Sequence, residues 1–157
     1  MNYAIPKMIE DLKASISKSD VATYMFGLPL ELGDTLGAMI IVNPSSTTIT
    51  PIATGMIDED EDTIEVILVK NYKTTTYQNA SQAGDMEFLT RVMRGKDANN
   101  DLLGSSIVSI LRSNFKRYGI NQPQFSINWN DNRFEKEGLV ASTLTIQQNS
   151  LGNQSIN

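Results

Sequence analysis

The chain has 157 residues, of which 40% are hydrophobic and 20% charged, with a formal net charge of −5 at pH 7. This length and composition predict one globular domain and argue against a disordered chain. Cysteine and histidine are both absent, which excludes disulfides, catalysis by a Ser-His-Asp or Cys-His arrangement, and most zinc sites.

The balance of charge and the apolar runs limit the partners of the protein. Acidic residues outnumber basic ones by 18 to 13, whereas a strong nucleic-acid binder uses Lys and Arg to neutralise phosphates. We expect no specific DNA binding, although DNA can still pass by such a protein. Residues 1–7 show no signal-peptide pattern, and the apolar runs are too short to span a membrane. The expectation is a soluble protein made in a reducing cytoplasm.

The first predicted element is an amphipathic helix. Apolar residues recur at helical spacing near the N-terminus, with charged residues on the opposite face; they are Ile5, Met8, Ile9, Leu12 and Ile16. Pro6 is compatible with the first turn of this helix.

Residues 24–37 are apolar but interrupted by glycine and proline, so no regular element fits the whole segment. We interpret it as an irregular apolar loop. Its apolar side chains need a partner, either the core of the chain or another subunit; they are Phe26, Leu28, Leu30 and Leu32.

Strands are predicted next. Residues 38–43 are apolar and β-branched and end at Pro44. Residues 47–54 are rich in threonine and contain Pro51, which indicates an edge strand or a bulge. Residues 62–72 form the strongest strand, and its second half is apolar on both faces, as expected of a central strand covered on both sides.

A run of five acids precedes that central strand: Asp58, Glu59, Asp60, Glu61 and Asp62. We interpret it as an exposed connector at a hairpin tip, where substitution by amides has little effect on stability. A cation site is the alternative, but the run lacks the order of acids found in an EF-hand loop.

Two helices and a hairpin complete the domain. Residues 85–94 form a helix that stops at Gly95, and Ser105 or Ser106 caps a helix that runs to Tyr118. Alternating residues at 125–130 and 140–147 predict two paired strands. The result is an α+β domain over residues 1–148, with a mostly antiparallel or mixed sheet and helices on one face. Residues 149–157 are expected to be a flexible polar tail.

No residue pattern indicates a catalytic centre. The glycines form no phosphate-binding loop. Ser105 and Ser106 precede a helix, where they could cap it or help to bind an anion. We interpret them as a helix cap, because caps are far more common. Basic residues near 112–117 suit the end of a helix, and Trp129, on an alternating strand, is interpreted as core. We therefore expect neither enzyme activity nor a cofactor or metal.

Several segments together resemble the tail terminator group, the small tail-completion proteins of tailed phages. The resemblance lies in the size of the chain, the order of its elements and the general residue pattern over most of its length. It is carried by residues 5–18, 38–44, 62–70, 86–94, 125–129 and 144–146.

This resemblance implies a virion protein at the junction of tail and neck. It implies a homo-oligomeric ring of six subunits that contacts the tail tube protein and the neck or connector proteins while DNA passes through. For this chain we expect the subunit interface to include the irregular apolar loop (Phe26, Leu28, Leu30 and Leu32) on one side and Thr47, Thr48 and Ile49 on the other. The acidic run is expected to face the DNA channel. Another neck or connector subunit, a small enzyme that uses carboxylates and a metal, and an adaptor domain remain alternatives.

Overall fold

The computed structural model describes residues 4–29, 37–52, 57–71, 78–119, 121–137 and 139–153, and side chains for most of them. The helices are α1 (Ala4–Ser15), α2 (Gln78–Arg94) and α3 (Ile107–Ser113), with 3₁₀ helices at Phe115–Tyr118 and Asn132–Glu137. The strands are β1 (Thr23–Phe26), β2 (Ala38–Ile52), β3 (Ile57–Asn71), β4 (Asn121–Asn128) and β5 (Leu139–Asn153).

The strands form one five-stranded sheet in the order β1-β2-β3-β5-β4. β2, β3, β5 and β4 pair antiparallel, and the short β1 adds a parallel pair at one edge. The three α-helices lie on one face, so the predicted α+β class with a mixed sheet is confirmed. Among the described residues, no helix has both the length and the apolar character required to cross a membrane.

The two faces of the sheet carry separate apolar clusters. Ile64, Val66 and Leu68 of β3 point towards the helices and join the main core with Leu111 of α3. Ile67 and Val69 point to the other face, where Phe134 of the second 3₁₀ helix covers them. Because residues 66–69 are buried on both faces, β3 is the central covered strand that the sequence predicted.

Local signals set the ends of the helices after α2. The Ser106 side chain accepts a hydrogen bond from the backbone N–H of Ser109 and caps α3. Gly119 adopts a φ of 72° after the first 3₁₀ helix, a conformation that glycine reaches without steric cost. The Tyr118 hydroxyl donates a 2.6 Å hydrogen bond to Asp11, which fastens α1 to this segment.

The segment predicted as an irregular apolar loop, residues 24–37, begins with a regular strand. β1 pairs in parallel with β2, from Thr23 beside Met39 to Phe26 beside Val42. Tyr24 points into the main core, and this contact explains why a strand forms in a glycine-rich segment. Residues 30–36, with Leu30 and Leu32, lie outside the described residues.

Several element boundaries differ from prediction. α3 ends at Ser113 and a 3₁₀ helix follows it, whereas one helix up to Tyr118 was predicted. β2 does not stop at Pro44 but continues to Ile52, because a bulge between Pro44 and Ser46 accommodates the proline. α2 begins at Gln78, within the predicted polar loop. β5 continues to Asn153, into the predicted tail, because β3 offers it a partner up to Ile57.

The distal halves of β2 and β3, with the end of β5, form a projecting arm. In β2, all residues from Ala38 to Val42 are buried, Asn43 is half-buried, and every residue from Pro44 to Ile52 is exposed. The sheet therefore extends beyond the helices. We call residues 44–52 and 57–63, with the β5 residues that pair with them, the arm.

Candidate assembly surfaces

The outer edge of the arm has no neighbouring strand among the described residues. β1 covers β2 only from Met39 to Val42, so beyond that point no described strand pairs with the outer backbone groups of β2. Pro44 and Pro51 lie along this edge, where a missing N–H is tolerated and unspecific strand addition is discouraged.

Exposed apolar side chains accompany this edge. Phe26 is 54% exposed, Leu28 45% and Ile49 61%. The Leu28 N–H donates a 3.3 Å hydrogen bond to the Asn43 side chain, which places Leu28 where the uncovered edge begins. Thr47 and Thr48 are exposed on the same strand. The described residues of the predicted interface thus lie on one edge of the sheet, whereas the sequence placed them on two sides of a contact.

The acidic run is part of β3, not a connector. Asp58 to Asp62 pair with β2 on one side and β5 on the other, and the negative charge is tolerated because the arm projects into solvent. Alternation along the strand places Asp58, Asp60 and Asp62 on the same face as Ile64, towards the helices. Glu59 and Glu61 point to the opposite face.

Asp62 differs from the other four acids because it is buried, with 5% of its surface exposed. Thr47 Oγ1 donates a 2.6 Å hydrogen bond to Asp62 Oδ1, and Gln148 Nε2 donates one of 3.4 Å to Asp62 Oδ2. The prediction that the whole run is exposed is therefore wrong at Asp62. Nearby, Asp60 Oδ1 and Gln148 Oε1 are buried without a hydrogen-bond partner.

The other end of the sheet carries a groove that the sequence did not predict. Phe125, Ile127 and Trp129 point towards the helices but are only half-buried, because β4 is an edge strand. A cavity of about 490 Å³ lies there, lined by Arg94, Val108, Arg112, Phe125, Ile127 and Trp129. A second cavity of about 620 Å³ shares Arg94 and Trp129 and extends to Lys96. We call the two together the basic groove.

The cations of the basic groove are available for an outside partner. Arg94, Lys96 and Arg112 are exposed, and none of them forms an ion pair within the described part of the chain. By contrast, Arg91, which lines the same groove, is bound to Asp20 at 3.0 Å. The basic residues around the end of α2 are visible in the sequence. The sequence does not show that β4 lies at an edge of the sheet, and the groove depends on that position.

A compact polar network lies on the face away from the helices. Arg133 binds Asp131 at 2.6 Å and Glu65 at 3.1 Å, and Thr143 Oγ1 donates a 2.6 Å hydrogen bond to Asp131. Burial raises the pKa of Asp131, but the hydrogen bonds from Arg133 and Thr143 outweigh this effect and hold the pKa below its usual value. The network fixes the segment between β4 and β5.

The buried acids do not converge on one pocket. Asp62 lies on the helix-side face of the sheet, whereas Asp131 interacts with Glu65 and Thr143 on the opposite face. Among the residues that the structure describes, no three acids are grouped so as to hold a metal ion. What the geometry offers instead is two unlike surfaces at the two ends of one sheet: an acidic and apolar arm, and a basic and aromatic groove.

No protein-family model matches the chain, and no curated protein matches it either.

Proposed function

We propose that the protein is a structural subunit of a tailed-phage virion, a tail terminator that forms a ring at the end of the tail tube and joins it to the neck. The observation that carries the proposal is the outer edge of β2, together with the apolar side chains beside it. Phe26, Leu28 and Ile49 are large apolar side chains that are 45–61% exposed beside an uncovered strand edge. Phe26 and Leu28 lie where the uncovered edge of β2 begins, and Ile49 lies further along it. Large apolar side chains exposed along an uncovered strand edge favour an interaction surface.

Ring closure requires a surface that meets a different surface on the next copy. The two ends of this sheet differ in charge and shape, so the chain has the asymmetry that such a contact needs. Six copies per ring follow from the resemblance to tail terminators, and the tail tube and neck proteins are the proposed neighbours of the ring.

The acidic residues fit a protein that DNA passes without binding. Four acids of the arm, Asp58, Glu59, Asp60 and Glu61, form no ion pair among the described residues. Glu59 and Glu61 point away from the helices, so a ring that turns this face to its axis would repel phosphates.

Cryo-electron microscopy of the virus particle that contains this protein tests the proposal. We expect a closed ring of identical copies between the tail tube and the neck. A phage that lacks the gene should accumulate separate heads and tails, because the ring that joins them is missing. A single copy per particle, or a position in the capsid lattice or the baseplate, would contradict the proposal. A ring within the neck itself would indicate a connector subunit instead.

A further inference from the structure

We infer that the helix-side face of the arm of one copy binds in the basic groove of the next copy. This inference rests on the proposed ring and specifies its repeated contact. The binding face consists of Ile49, Asp58 and Asp60, and the groove supplies Arg94 and Arg112 beside aromatic side chains.

The arm presents apolar and acidic groups together on this face. Ile49 of β2 is opposite Asp60 of β3 in the register, so the exposed isoleucine lies beside that carboxylate. Asp58 is two residues further towards the tip, about 7 Å away along the strand. Asp62 already has partners within the chain, Thr47 and Gln148. Asp58 and Asp60 are therefore the acids of this face that another molecule can bind.

The groove presents the complementary groups. Phe125 and Trp129 offer half-buried aromatic surface for an apolar side chain such as Ile49. Arg94 and Arg112 line the same cavity and form no ion pair within the described residues. An arginine guanidinium binds a carboxylate through one or two charge-assisted hydrogen bonds. Asp60 Oδ1 is buried, so Asp60 would accept through Oδ2, and each arginine can bind one aspartate.

The partner must be a second copy and not the same chain. β3 pairs with β5 along its whole length, and β5 pairs with β4, so arm and groove belong to one continuous sheet. Their binding surfaces point to the same side of that sheet, which keeps a chain from closing on itself. Two unlike surfaces on one chain repeat from copy to copy and close into a ring if the rotation allows.

Charge reversal provides a test with an internal rescue. Asp58→Arg with Asp60→Arg gives the binding face of the arm the same positive charge as the groove, and Arg94→Glu with Arg112→Glu gives the groove the same negative charge as that face. Each variant alone should self-associate about a hundredfold more weakly than the wild type, because juxtaposed like charges are strongly unfavourable. Mixed in equal amounts, the two variants should assemble again, in alternation around an even-numbered ring.

The measurements use purified full-length protein in native mass spectrometry. Trp129, the only tryptophan, lines the groove, so its fluorescence reports directly whether the groove is filled. Glu59→Arg with Glu61→Arg is the matched control for the arm, since it reverses the same charge on the opposite face. Lys18→Glu with Lys116→Glu, both exposed and neither lining the groove, controls for the change in net charge. Both controls should assemble like the wild type.

Three outcomes would overturn the inference. The first is a wild-type protein that remains monomeric at the highest concentration that stays clear. The second is a mixture of the two variants that fails to assemble although each is folded by circular dichroism. The third is a wild-type groove that binds a fluorescent single-stranded oligonucleotide through Arg94 and Trp129, as aromatic and cationic grooves can, without self-association. None of these outcomes changes what electron microscopy of the virus particle would show. A failure of this inference is therefore distinguishable from a failure of the proposed function.

Discussion

The hydrogen bond from Thr47 to Asp62 is the single contact in the arm with the clearest energetic role, because it satisfies a buried carboxylate. Thr47→Val keeps the shape of the side chain but removes the donor. We expect the free energy of unfolding to fall by roughly 1–3 kcal/mol, the usual cost of a lost hydrogen bond to a charged group. Urea unfolding measures it.

The neighbouring threonine provides the control for that substitution. Thr48 is exposed, points to the opposite face and makes no side-chain hydrogen bond among the described residues. Thr48→Val should change the free energy of unfolding by less than about 0.5 kcal/mol. Equal effects of the two substitutions would show that Asp62 does not depend on Thr47.

Asp131 should make the fold sensitive to acid. Its pKa lies below the usual 3.8 because the hydrogen bonds from Arg133 and Thr143 outweigh the effect of burial. A carboxyl with a lower pKa in the folded chain stabilises the fold fully above its unfolded pKa and loses this contribution as pH falls through the folded pKa. We therefore expect the free energy of unfolding to decline as pH drops below about 3.8.

Urea unfolding at a series of pH values, from neutral down to about pH 3, measures this dependence. Asp131→Asn should be less stable at neutral pH and should lose part of the decline in acid. Asp20, whose pKa is lowered by its hydrogen bond from Arg91, contributes the same sign of dependence and stays intact in this variant. Glu135→Gln, at an exposed position, should keep the whole decline. A decline of the same size in Asp131→Asn would contradict the assignment.

Among the elements, the end of α2 depends on one glycine. A Cβ atom at Gly95 would lie 2.5 Å from the Arg91 carbonyl oxygen and 2.8 Å from Leu103. Gly95→Ala should therefore lower the free energy of unfolding by roughly 1–3 kcal/mol, as overpacking does. Gly104→Ala, where a Cβ would meet no atom within 4 Å, should be close to neutral. A neutral Gly95→Ala would mean that the helix end shifts freely.

The elements that the sequence predicted well are those whose own residues determine them. α1, the central part of β3 and the stop of α2 at Gly95 follow from periodicity and from the glycine. β2 was predicted as two strands because Pro44 normally ends one, and only the bulge formed against β3 allows it to continue. The acidic run was predicted as a connector because its charge is uncommon in strands, yet strands on both sides of it supply every backbone partner.

The candidate surfaces were predictable only in part, for a similar reason. The exposed apolar residues Phe26 and Leu28 were predicted to need a partner, since their local sequence fits no buried element. Trp129 was interpreted as core because alternation shows which face a residue occupies but not which strand lies at an edge. That information comes from strand order, and the order places β4 last.

At the scale of the whole molecule, the core and the arm make separable contributions. The residues of the main cluster lie in the helices, the proximal sheet and, for Ile16 and Val21, the loop between α1 and β1. The arm beyond Asn43 adds few buried side chains, chiefly Asp62 and Gln148. The fold therefore derives its stability from one part of the sheet and presents the other part to partners. Substitutions of exposed side chains along the outer edge of the sheet, at the end of β1 and on the arm, should affect assembly and leave folding intact.

Phe26→Asp with Leu28→Asp tests this separation. Both side chains are about half exposed, so the free energy of unfolding in urea should change by no more than about 1 kcal/mol. In a contact with another copy, the same two aspartates would be buried in apolar surroundings, where an unpaired charge is costly. We expect a folded protein that fails to restore infectivity to particles lacking the gene. Ala14→Asp, at an exposed position of α1, should restore it. Full infectivity with the double variant would show that this edge is not a subunit contact, and a large loss of stability would show that it belongs to the core.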